Sequence, residues 1–259
     1  MHPLFTLQGR TALVTGAGSP GGIGYATARL LGELGCRVAL CATGPRIFER
    51  ASELAAQGIA ARGYRADLTD AAAATDLVAH VLGDFGVIDI LVNNAGMAQE
   101  GAPEACTPFA ELADEDWHAD LSRNLHTCFL VTRRVLPQML TRGAGRIVNV
   151  SSVTGPLVSN SGEAAYSAAK AAMVGMSRAL ALEVASRGVT VNCIAPGWVA
   201  TASQTREEAR AAQHTPMARA GTPTEMAAAI AFLAMPGASY INGELLVIDG
   251  GNILQERKG

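Results

Sequence analysis

The sequence has few aromatic residues and no patch of one charge. Phe, Tyr and Trp make up 5% of the 259 residues although 49% are hydrophobic, so the core must be built mainly from aliphatic and small side chains. The formal net charge is -3, and no run of basic residues stands out. This balance argues against a surface that binds nucleic acid or an acidic membrane.

The cysteine and histidine patterns that build disulfide or metal sites are also missing. The five cysteines form no CxxC pair, and the five histidines form no HxxxH or HExxH pattern. An odd set of cysteines is typical of buried thiols in a reducing compartment. No apolar run is long enough to cross a bilayer, and the start MHPLFTLQGR does not resemble a signal peptide. We therefore predict a cytoplasmic protein with no metal site, no nucleic-acid partner and no membrane partner.

Short apolar runs alternate with helical patterns along the whole chain. Most of these runs are continuous rather than alternating, as expected for strands that are covered on both faces. The predicted strands span 11–15, 37–42, 60–65, 88–93, 146–151, 190–195 and 245–248. The predicted helices begin at Ile23 and then span 71–82, 116–140, 165–186 and 224–234.

This alternation predicts an α/β fold of the Rossmann type, a doubly wound parallel sheet of seven strands with helices on both faces. No repeat, low-complexity tract or linker divides the chain. We predict a single domain over 1–259, with its core at 10–252 and a short C-terminal tail at 253–259. Ligands bind beyond the carboxyl ends of such strands, so the residues that follow each strand are the candidates for a site.

The stretch TGAGSPGGIGYA follows the first strand and carries five glycines. It matches the dinucleotide pattern GxGxxG from Gly16 to Gly21, but the helical pattern begins only at Ile23. Pro20 also fits a free loop better than a helix. Glycines are common in turns for reasons of backbone conformation alone. Here a strand precedes the loop and a helix follows it, which favours a pyrophosphate site at the helix N-terminus. We predict that the phosphate-facing glycines are Gly16, Gly22 and Gly24.

The stretch YSAAK puts Tyr166 and Lys170 on one face of a helix. An ammonium beside a phenol lowers the tyrosine pKa from its usual value of about 10, so the phenol can exchange a proton near neutral pH. An isolated YxxxK is also compatible with a half-buried tyrosine beside a solvated lysine. Here Ser152 ends the preceding strand, which lets two hydroxyl groups converge on one substrate oxygen.

From Arg10 to about Asn252 the chain resembles the short-chain dehydrogenases/reductases of the main branch. The likeness rests on TGAGSPGGIG, NNAG, SRNL, NVSS, YSAAK, NCIAPGWVAT and VIDGG, in this order. Within the family, SRALALEVASRGVTVN and GASYINGELLVIDGG are most similar to 3-oxoacyl-[acyl-carrier-protein] reductases.

The resemblance implies a catalytic tetrad of Asn124, Ser152, Tyr166 and Lys170. Tyr166 would be the general acid/base, and Ser152 would orient and polarise the carbonyl group. Lys170 would hold the nicotinamide ribose and lower the tyrosine pKa, and Asn124 would hold a water that passes protons to Lys170. An asparagine inside a helix is disfavoured by propensity, which supports a functional role for Asn124.

The resemblance also implies the cofactor contacts. Asp67 and Leu68 would flank the adenine, Asn94 would lie at the adenosine ribose, and Val199 and Thr201 would contact the carboxamide. Thr201 is also a candidate helix N-cap, since the loop after it is expected to become a helix over the substrate. The full predicted set is Gly16, Ser19, Gly22, Ile23, Gly24, Thr43, Arg46, Asp67, Leu68, Asn94, Ala95, Gly96, Tyr166, Lys170, Pro196, Gly197, Val199 and Thr201.

The end of the second strand decides between NADP(H) and NAD(H). An acidic residue there would bind the ribose 2′-hydroxyl and repel a 2′-phosphate. The chain has Ala42 and Thr43 at this place, with Arg46 three residues on. This favours NADP(H). NAD(H) stays open, because Arg46 also suits a surface position at a helix start.

The chain departs from the family pattern in its glycine loop, which is two residues longer than the usual TGxxxGxG. Enoyl-thioester reductases have a loop of this length, but six residues separate their catalytic tyrosine and lysine. Three residues separate Tyr166 and Lys170. Because this spacing positions the acid, we expect reduction of a carbon–oxygen double bond.

The predicted function is NADP(H)-dependent reduction of a ketone to a secondary alcohol, with a 3-oxoacyl thioester as the substrate. The alternatives are an NAD(P)-dependent dehydrogenase of a small secondary alcohol, sugar or polyol, and a nucleotide-binding scaffold without turnover. The polar, Ala-rich substrate loop over 202–222 does not identify the substrate.

Partners are implied by the resemblance alone. An acyl carrier protein would dock on basic residues near the site, where Arg187 fits the family pattern and Arg142 is displaced by about one residue. Arg187 near a helix C-terminus is also favourable without a partner. A homotetramer is implied, with the helices 116–140 and 165–186 at one interface, and the final LQERKG is either a disordered tail or a subunit contact.

Overall fold

The structure is a computed structural model that describes residues 2–96 and 106–256. Residues 257–259 of the predicted tail lie outside the described residues. The described residues form one sheet of seven parallel strands. The strands are β1 (Thr11–Thr15), β2 (Arg37–Ala42), β3 (Ala61–Arg65), β4 (Ile90–Asn93), β5 (Gly145–Val150), β6 (Val189–Pro196) and β7 (Leu245–Ile248).

The strand order is β3-β2-β1-β4-β5-β6-β7. Successive strands are added on one side of β1 up to β3 and on its other side from β4 onward, so the order switches between β1 and β4. All seven predicted strands are confirmed, with ends that differ from the prediction by two residues at most. Every residue of β1, β4 and β6 is buried, because helices cover both faces of the central sheet. β3 is partly exposed, as its edge position allows.

Eight α-helices connect the described strands. They are α1 (Ile23–Glu33), α2 (Arg46–Ala56), α3 (Ala71–Phe85), α4 (Asp114–Leu121), α5 (Thr127–Arg142), α6 (Ala164–Val184), α7 (Arg206–Gln213) and α8 (Pro223–Ala234). Side chains of α1, α2 and α8 pack on one face of the sheet. Side chains of α3, α5 and α6 pack on the other face, which confirms the doubly wound arrangement.

The predicted helix over 116–140 is not a regular α-helix throughout. A π-helical segment, Ser122–His126, separates α4 from α5, and the Thr127 N–H donates to the Ser122 carbonyl five residues earlier. The periodicity of apolar residues does not reveal one wide turn, so the sequence predicted an unbroken helix. Such wide turns are frequent at functional sites.

The segment after β6 also differs in detail from the prediction. A helix does follow the loop, but its N-cap is Thr205, not Thr201. The Thr205 hydroxyl accepts from Glu208 N–H and the Glu208 carboxylate accepts from Thr205 N–H, which forms a capping box. Within residues 2–96 and 106–256, no helix combines the length and the apolarity of a membrane span.

Candidate functional site

A cavity of about 500 Å³ opens at the carboxyl ends of the strands. Its place matches the edge where ligands bind in parallel sheets. The predicted site residues that line it are Ile23, Asn94, Ser152, Tyr166, Lys170, Pro196, Gly197, Val199 and Thr201. The predicted residues outside this lining are Gly16, Ser19, Gly22, Gly24, Thr43, Arg46, Asp67, Leu68, Ala95, Gly96 and Asn124.

Tyr166 and Lys170 lie one turn apart on α6 and face the cavity together. The Lys170 ammonium is 5.5 Å from the centre of the Tyr166 ring. Its Nζ donates to the Val150 carbonyl at 3.0 Å, and the residue is only 3% exposed. A buried ammonium needs such partners to offset its loss of water. The end of β5 therefore fixes the position of the lysine beneath the tyrosine.

Ser151 and Ser152 follow β5 and differ in their surroundings. Ser151 is buried, and its Oγ donates to the Lys170 carbonyl at 3.0 Å. Ser152 Oγ accepts from the Thr154 N–H at 3.0 Å and lines the cavity. Accepting this bond leaves the Ser152 hydroxyl hydrogen for a ligand oxygen. Both serines line the cavity, but the Ser151 hydroxyl hydrogen is already donated within the protein.

Asn124 lies in the π-helical segment and is 1% exposed. Its Nδ2 donates to the Asp120 carbonyl at 3.2 Å, while its buried Oδ1 has no hydrogen-bond partner among the described residues. A Cβ added at Gly96 would lie 2.8 Å from this oxygen, so Gly96 permits the close approach. A buried amide oxygen of this kind typically accepts a hydrogen bond from an ordered water.

The glycine loop leads into α1 as the sequence predicted. Gly22 is the N-cap of α1 and provides no side-chain cap, so the first N–H groups of the helix remain for an anion. A Cβ at Gly24 would lie 2.5 Å from the Gly16 carbonyl oxygen, and Gly16 has a φ of +68°. The loop and the helix therefore pack so tightly that no side chain fits between them.

Asn94 and Thr15 hold this loop against the sheet. Asn94 Nδ2 donates to the carbonyls of Thr15 and Gly16 at 3.1 and 3.0 Å. Thr15 Oγ1 accepts from the N–H groups of Asn94 and Ala95, each at 3.1 Å. The sequence predicted Asn94 as a ribose contact and did not include Thr15. The position of Thr15 at the end of the first predicted strand was the feature of the sequence that could have indicated its role.

The ends of β2 and β3 bring a second guanidinium to the region of Thr43 and Arg46. Arg65, the last residue of β3, donates from Nε to the Thr43 carbonyl at 2.9 Å. Arg46 is the exposed first residue of α2. A Cβ at Gly18 would lie 3.0 Å from the Ala42 Cβ, so the long glycine loop reaches the end of β2. Arg65 was missed because sequence reasoning considered only the residues after the second strand.

The remaining predicted contacts follow β3 and β6. Asp67 Oδ1 accepts from the Thr69 N–H and hydroxyl at 3.0 and 2.7 Å, and Leu68 is buried. The Gly197 N–H donates to the Ile248 carbonyl at 3.0 Å. Thr201 Oγ1 lies 3.1 Å from Ser203 Oγ. Of these residues, Gly197, Thr201 and Ser203 line the cavity.

The two arginines considered for a carrier protein lie away from the cavity. Arg187 precedes β6, and its Nη2 donates to the Leu140 carbonyl at 3.0 Å. Arg142 precedes β5 and forms a 2.6 Å ion pair with Asp89. Both therefore lie at the amino ends of strands, which is the edge of the sheet opposite the cavity.

The cysteines are free, and four of the five are buried. Burial raises the pKa of Cys36, Cys41 and Cys128 to about 12, so these groups stay protonated thiols at neutral pH. In the part of the chain that the structure describes, no group of three His, Cys, Asp or Glu side chains could hold a metal ion.

The chain matches a family described as enoyl-(acyl carrier protein) reductase over residues 16–252. It is 39% identical over 255 residues to the 3-oxoacyl-[acyl-carrier-protein] reductase FabG of Vibrio cholerae serotype O1, covering 95% of this chain and 98% of the relative. It is 39% identical to nodulation protein G of Rhizobium meliloti, over 96% of this chain and 98% of that protein.

A solved structure from Beutenbergia cavernae, assigned as an NAD(P)-dependent gluconate 5-dehydrogenase and containing NADP at low occupancy, superposes with a TM-score of 0.88. It is 37% identical and covers 97% of this chain and 100% of its own. Family match, sequence identity and shared architecture agree with the geometry of the cavity. The chain belongs to the short-chain dehydrogenase/reductase family and is an oxidoreductase that acts with NAD(P).

Proposed function

We propose that this protein reduces a ketone to a secondary alcohol with NADP(H), and that its substrate is a 3-oxoacyl thioester. The observation that carries the proposal is the convergence of Ser152, Tyr166 and Lys170 on one cavity beside the N-terminus of α1. The identity to a 3-oxoacyl-[acyl-carrier-protein] reductase over nearly the whole chain supports the choice of substrate.

The chain's own groups fit the proposed cofactor. The start of α1 has no side-chain cap, so its first N–H groups can donate to a pyrophosphate. The close contact between Gly16 and Gly24 leaves no side chain to obstruct it. When bound, NADP(H) supplies or accepts the hydride. Asp67 and Leu68 would flank the adenine, and Val199 and Thr201 would contact the carboxamide group.

In the proposed reaction, two hydroxyl groups act on the substrate carbonyl. The Ser152 hydroxyl donates a hydrogen bond to the carbonyl oxygen and holds it in place. Tyr166 gives its hydroxyl proton to this oxygen as the alcohol forms. Lys170 would support the tyrosine with its positive charge, and a water on Asn124 Oδ1 would connect Lys170 to solvent.

The preference for NADP(H) rests on the end of β2. Arg46 and Arg65 bring positive charge to the residues around Thr43, where a 2′-phosphate would need a cationic partner. The NADP in a relative of the same fold agrees with this choice. Steady-state rates with NADPH and NADH test it, and a clear preference for NADH would contradict it.

A second candidate is the NAD(P)-dependent oxidation of a small secondary alcohol, sugar or polyol. Polar side chains on the cavity wall, Asn160, Ser203 and Asn252 among them, favour a substrate with hydroxyl groups. A panel of 3-oxoacyl thioesters, simple ketones and polyols, assayed in both directions, distinguishes the two. A protein that binds NADPH but turns over no member of the panel would instead be a scaffold.

We also propose that residues 1–259 form one dinucleotide-binding and catalytic domain that assembles as a homotetramer. Phe129 on α5 and Leu182 on α6 are 42% and 84% exposed, as expected for apolar side chains at an interface between copies. Light scattering coupled to gel filtration would measure a mass near four chains. An acyl carrier protein partner and the cytoplasmic location stay predictions.

A further inference from the structure

Two carboxylates line the cavity, and they restrict the substrates it can take. Glu163 and Glu208 both belong to its wall. We propose that the cavity selects ketones and alcohols that are uncharged around the reacting carbon, and that these two glutamates disfavour substrates carrying a carboxylate there. This inference rests on the proposed function and narrows its substrate class.

Glu163 belongs to the same cavity wall as Tyr166. It is the N-cap residue of α6, three positions before Tyr166 in the chain. Its Oε2 accepts from Asn160 Nδ2 at 3.0 Å, and Asn160 also lines the cavity. The hydrogen bond joins the carboxylate to another residue of the wall.

Glu208 supplies the second negative charge from the opposite element. Its Oε2 accepts from the Thr205 N–H at 2.6 Å within the capping box of α7. This bond holds the Glu208 side chain at the start of α7. Because α7 lies within the substrate loop over 202–222, this charge lies where the distal part of a substrate would pass.

The buried ammonium on the wall already donates to the backbone, so it is not placed to pair directly with a substrate carboxylate. Lys170 is 3% exposed and already donates to the Val150 carbonyl, and His214 is the imidazole on the wall. No arginine is among the described residues that line the cavity. Carboxylate substrates are usually held by the planar fork of an arginine, so this wall lacks the partner that a carboxylate needs.

The predicted substrate class comprises neutral ketones, including 3-oxo esters and 3-oxo thioesters, and uncharged polyols. It excludes sugar acids, although two structures of the same fold are assigned as gluconate dehydrogenases. The same fold can therefore serve differently charged substrates, because the charge of the wall is set by side chains and not by the architecture.

The test compares a neutral and an anionic substrate with the same reacting ketone, ethyl acetoacetate and acetoacetate, at saturating NADPH. We expect kcat/KM of the unaltered protein to favour the ester. Glu163→Gln and Glu208→Gln should each raise the acetoacetate-to-ester ratio by about 3–10-fold, as expected for removing one nearby charge. Glu207→Gln is the matched control, because Glu207 is exposed and does not line the cavity.

The acetoacetate-to-ester ratio of each variant is compared with the same ratio for the unaltered protein, so the difference in size between the ester and the acid cancels. Glutamine at 208 can still accept the capping hydrogen bond, and thermal unfolding checks that each variant is folded. Ester turnover with ratios that match Glu207→Gln would overturn the charge selection alone. If folded protein reduced neither substrate nor any thioester, the proposed function would fall and this inference with it.

Discussion

Lys170 Nζ lies 5.5 Å from the centre of the Tyr166 ring while it donates to the Val150 carbonyl at the end of β5. The hydrogen bond ties the ammonium to the end of β5 and so holds it beside the ring. The first contact places positive charge beside the phenol that we propose as the acid. The pair therefore couples the helix that carries the tyrosine to the strand that precedes Ser152.

Replacing Tyr166 with Phe should abolish nearly all turnover. The change removes the hydroxyl and keeps the ring, so the packing against Lys170 is retained. Loss of a general acid costs about 10²–10⁴-fold in rate. We expect kcat to fall by this amount while the NADPH dissociation constant, measured by NADPH fluorescence, stays within about 2-fold.

The matched control is Tyr240→Phe, because Tyr240 is fully exposed. It loses the same hydroxyl far from any packing constraint and should keep the kcat of the unaltered protein. A Tyr166→Phe protein with more than a tenth of the original kcat would contradict the proposed role of the hydroxyl.

Gly24→Ala should destabilise the glycine loop and weaken cofactor binding. The added Cβ would lie 2.5 Å from the Gly16 carbonyl oxygen, and the loop would have to move away from α1. Overpacking of this kind costs about 1–3 kcal/mol. We expect a lower free energy of unfolding in urea and a larger NADPH dissociation constant.

The same substitution at Gly83 should have the opposite effect on stability. Gly83 is an exposed residue of α3, and a Cβ there would meet nothing within 4 Å. Alanine in a helix interior is more stable than glycine by about 0.5–1 kcal/mol. Equal effects of Gly24→Ala and Gly83→Ala would mean that the close contact at Gly16 does not constrain the loop.

The sequence predicted the sheet well because each central strand is a continuous apolar run with a turn after it. The start of α1 was also predicted correctly, since the helical pattern stops at Ile23 and Pro20 does not suit a helix. The π-helical segment around Asn124 was not predicted, because a single wide turn leaves the apolar periodicity nearly unchanged. It depends instead on how α4 and α5 pack.

The candidate site shows the same division. YSAAK carries its geometry locally, so one helical turn was enough to bring Tyr166 and Lys170 together. Thr15 and Arg65 act through partners 79 and 22 residues away in the chain. Their contacts arise only from the order of the strands, which the local pattern does not contain.

Glu225 should make stability depend on acid pH. A hydrogen bond from Arg219, with further bonds from Thr222, lowers the pKa of Glu225 to about 2 from 4.5. A carboxyl with a depressed folded pKa stabilises the fold above its unfolded pKa and loses this effect as the pH falls through the folded value.

Glu225→Gln should therefore lower the Tm near pH 7 by at most about 4 °C, since the pair is exposed. The Tm difference from the unaltered protein should shrink as the pH falls from 4.5 toward 2. Glu207→Gln, an exposed glutamate on α7, serves as the control. A Tm difference that is constant over this pH range would show that the ion pair does not carry the effect.

Arg65→Gln should reduce the preference for NADPH over NADH. The Arg65 guanidinium is held at the end of β2 by its Nε–H bond to the Thr43 carbonyl, and Arg46 begins α2 three residues after Thr43. Losing one charged hydrogen bond to a phosphate corresponds to about 10–100-fold in affinity. We expect the ratio of kcat/KM for NADPH to that for NADH to fall by this factor, mainly through the KM of NADPH.

Binding of 2′,5′-ADP measured by calorimetry should weaken by the same factor in Arg65→Gln, whereas 5′-AMP binding should not change. Arg62→Gln is the control, because Arg62 on the same strand pairs with Asp84. If 2′,5′-ADP bound equally well to both variants, Arg65 would have no part in recognising the phosphate.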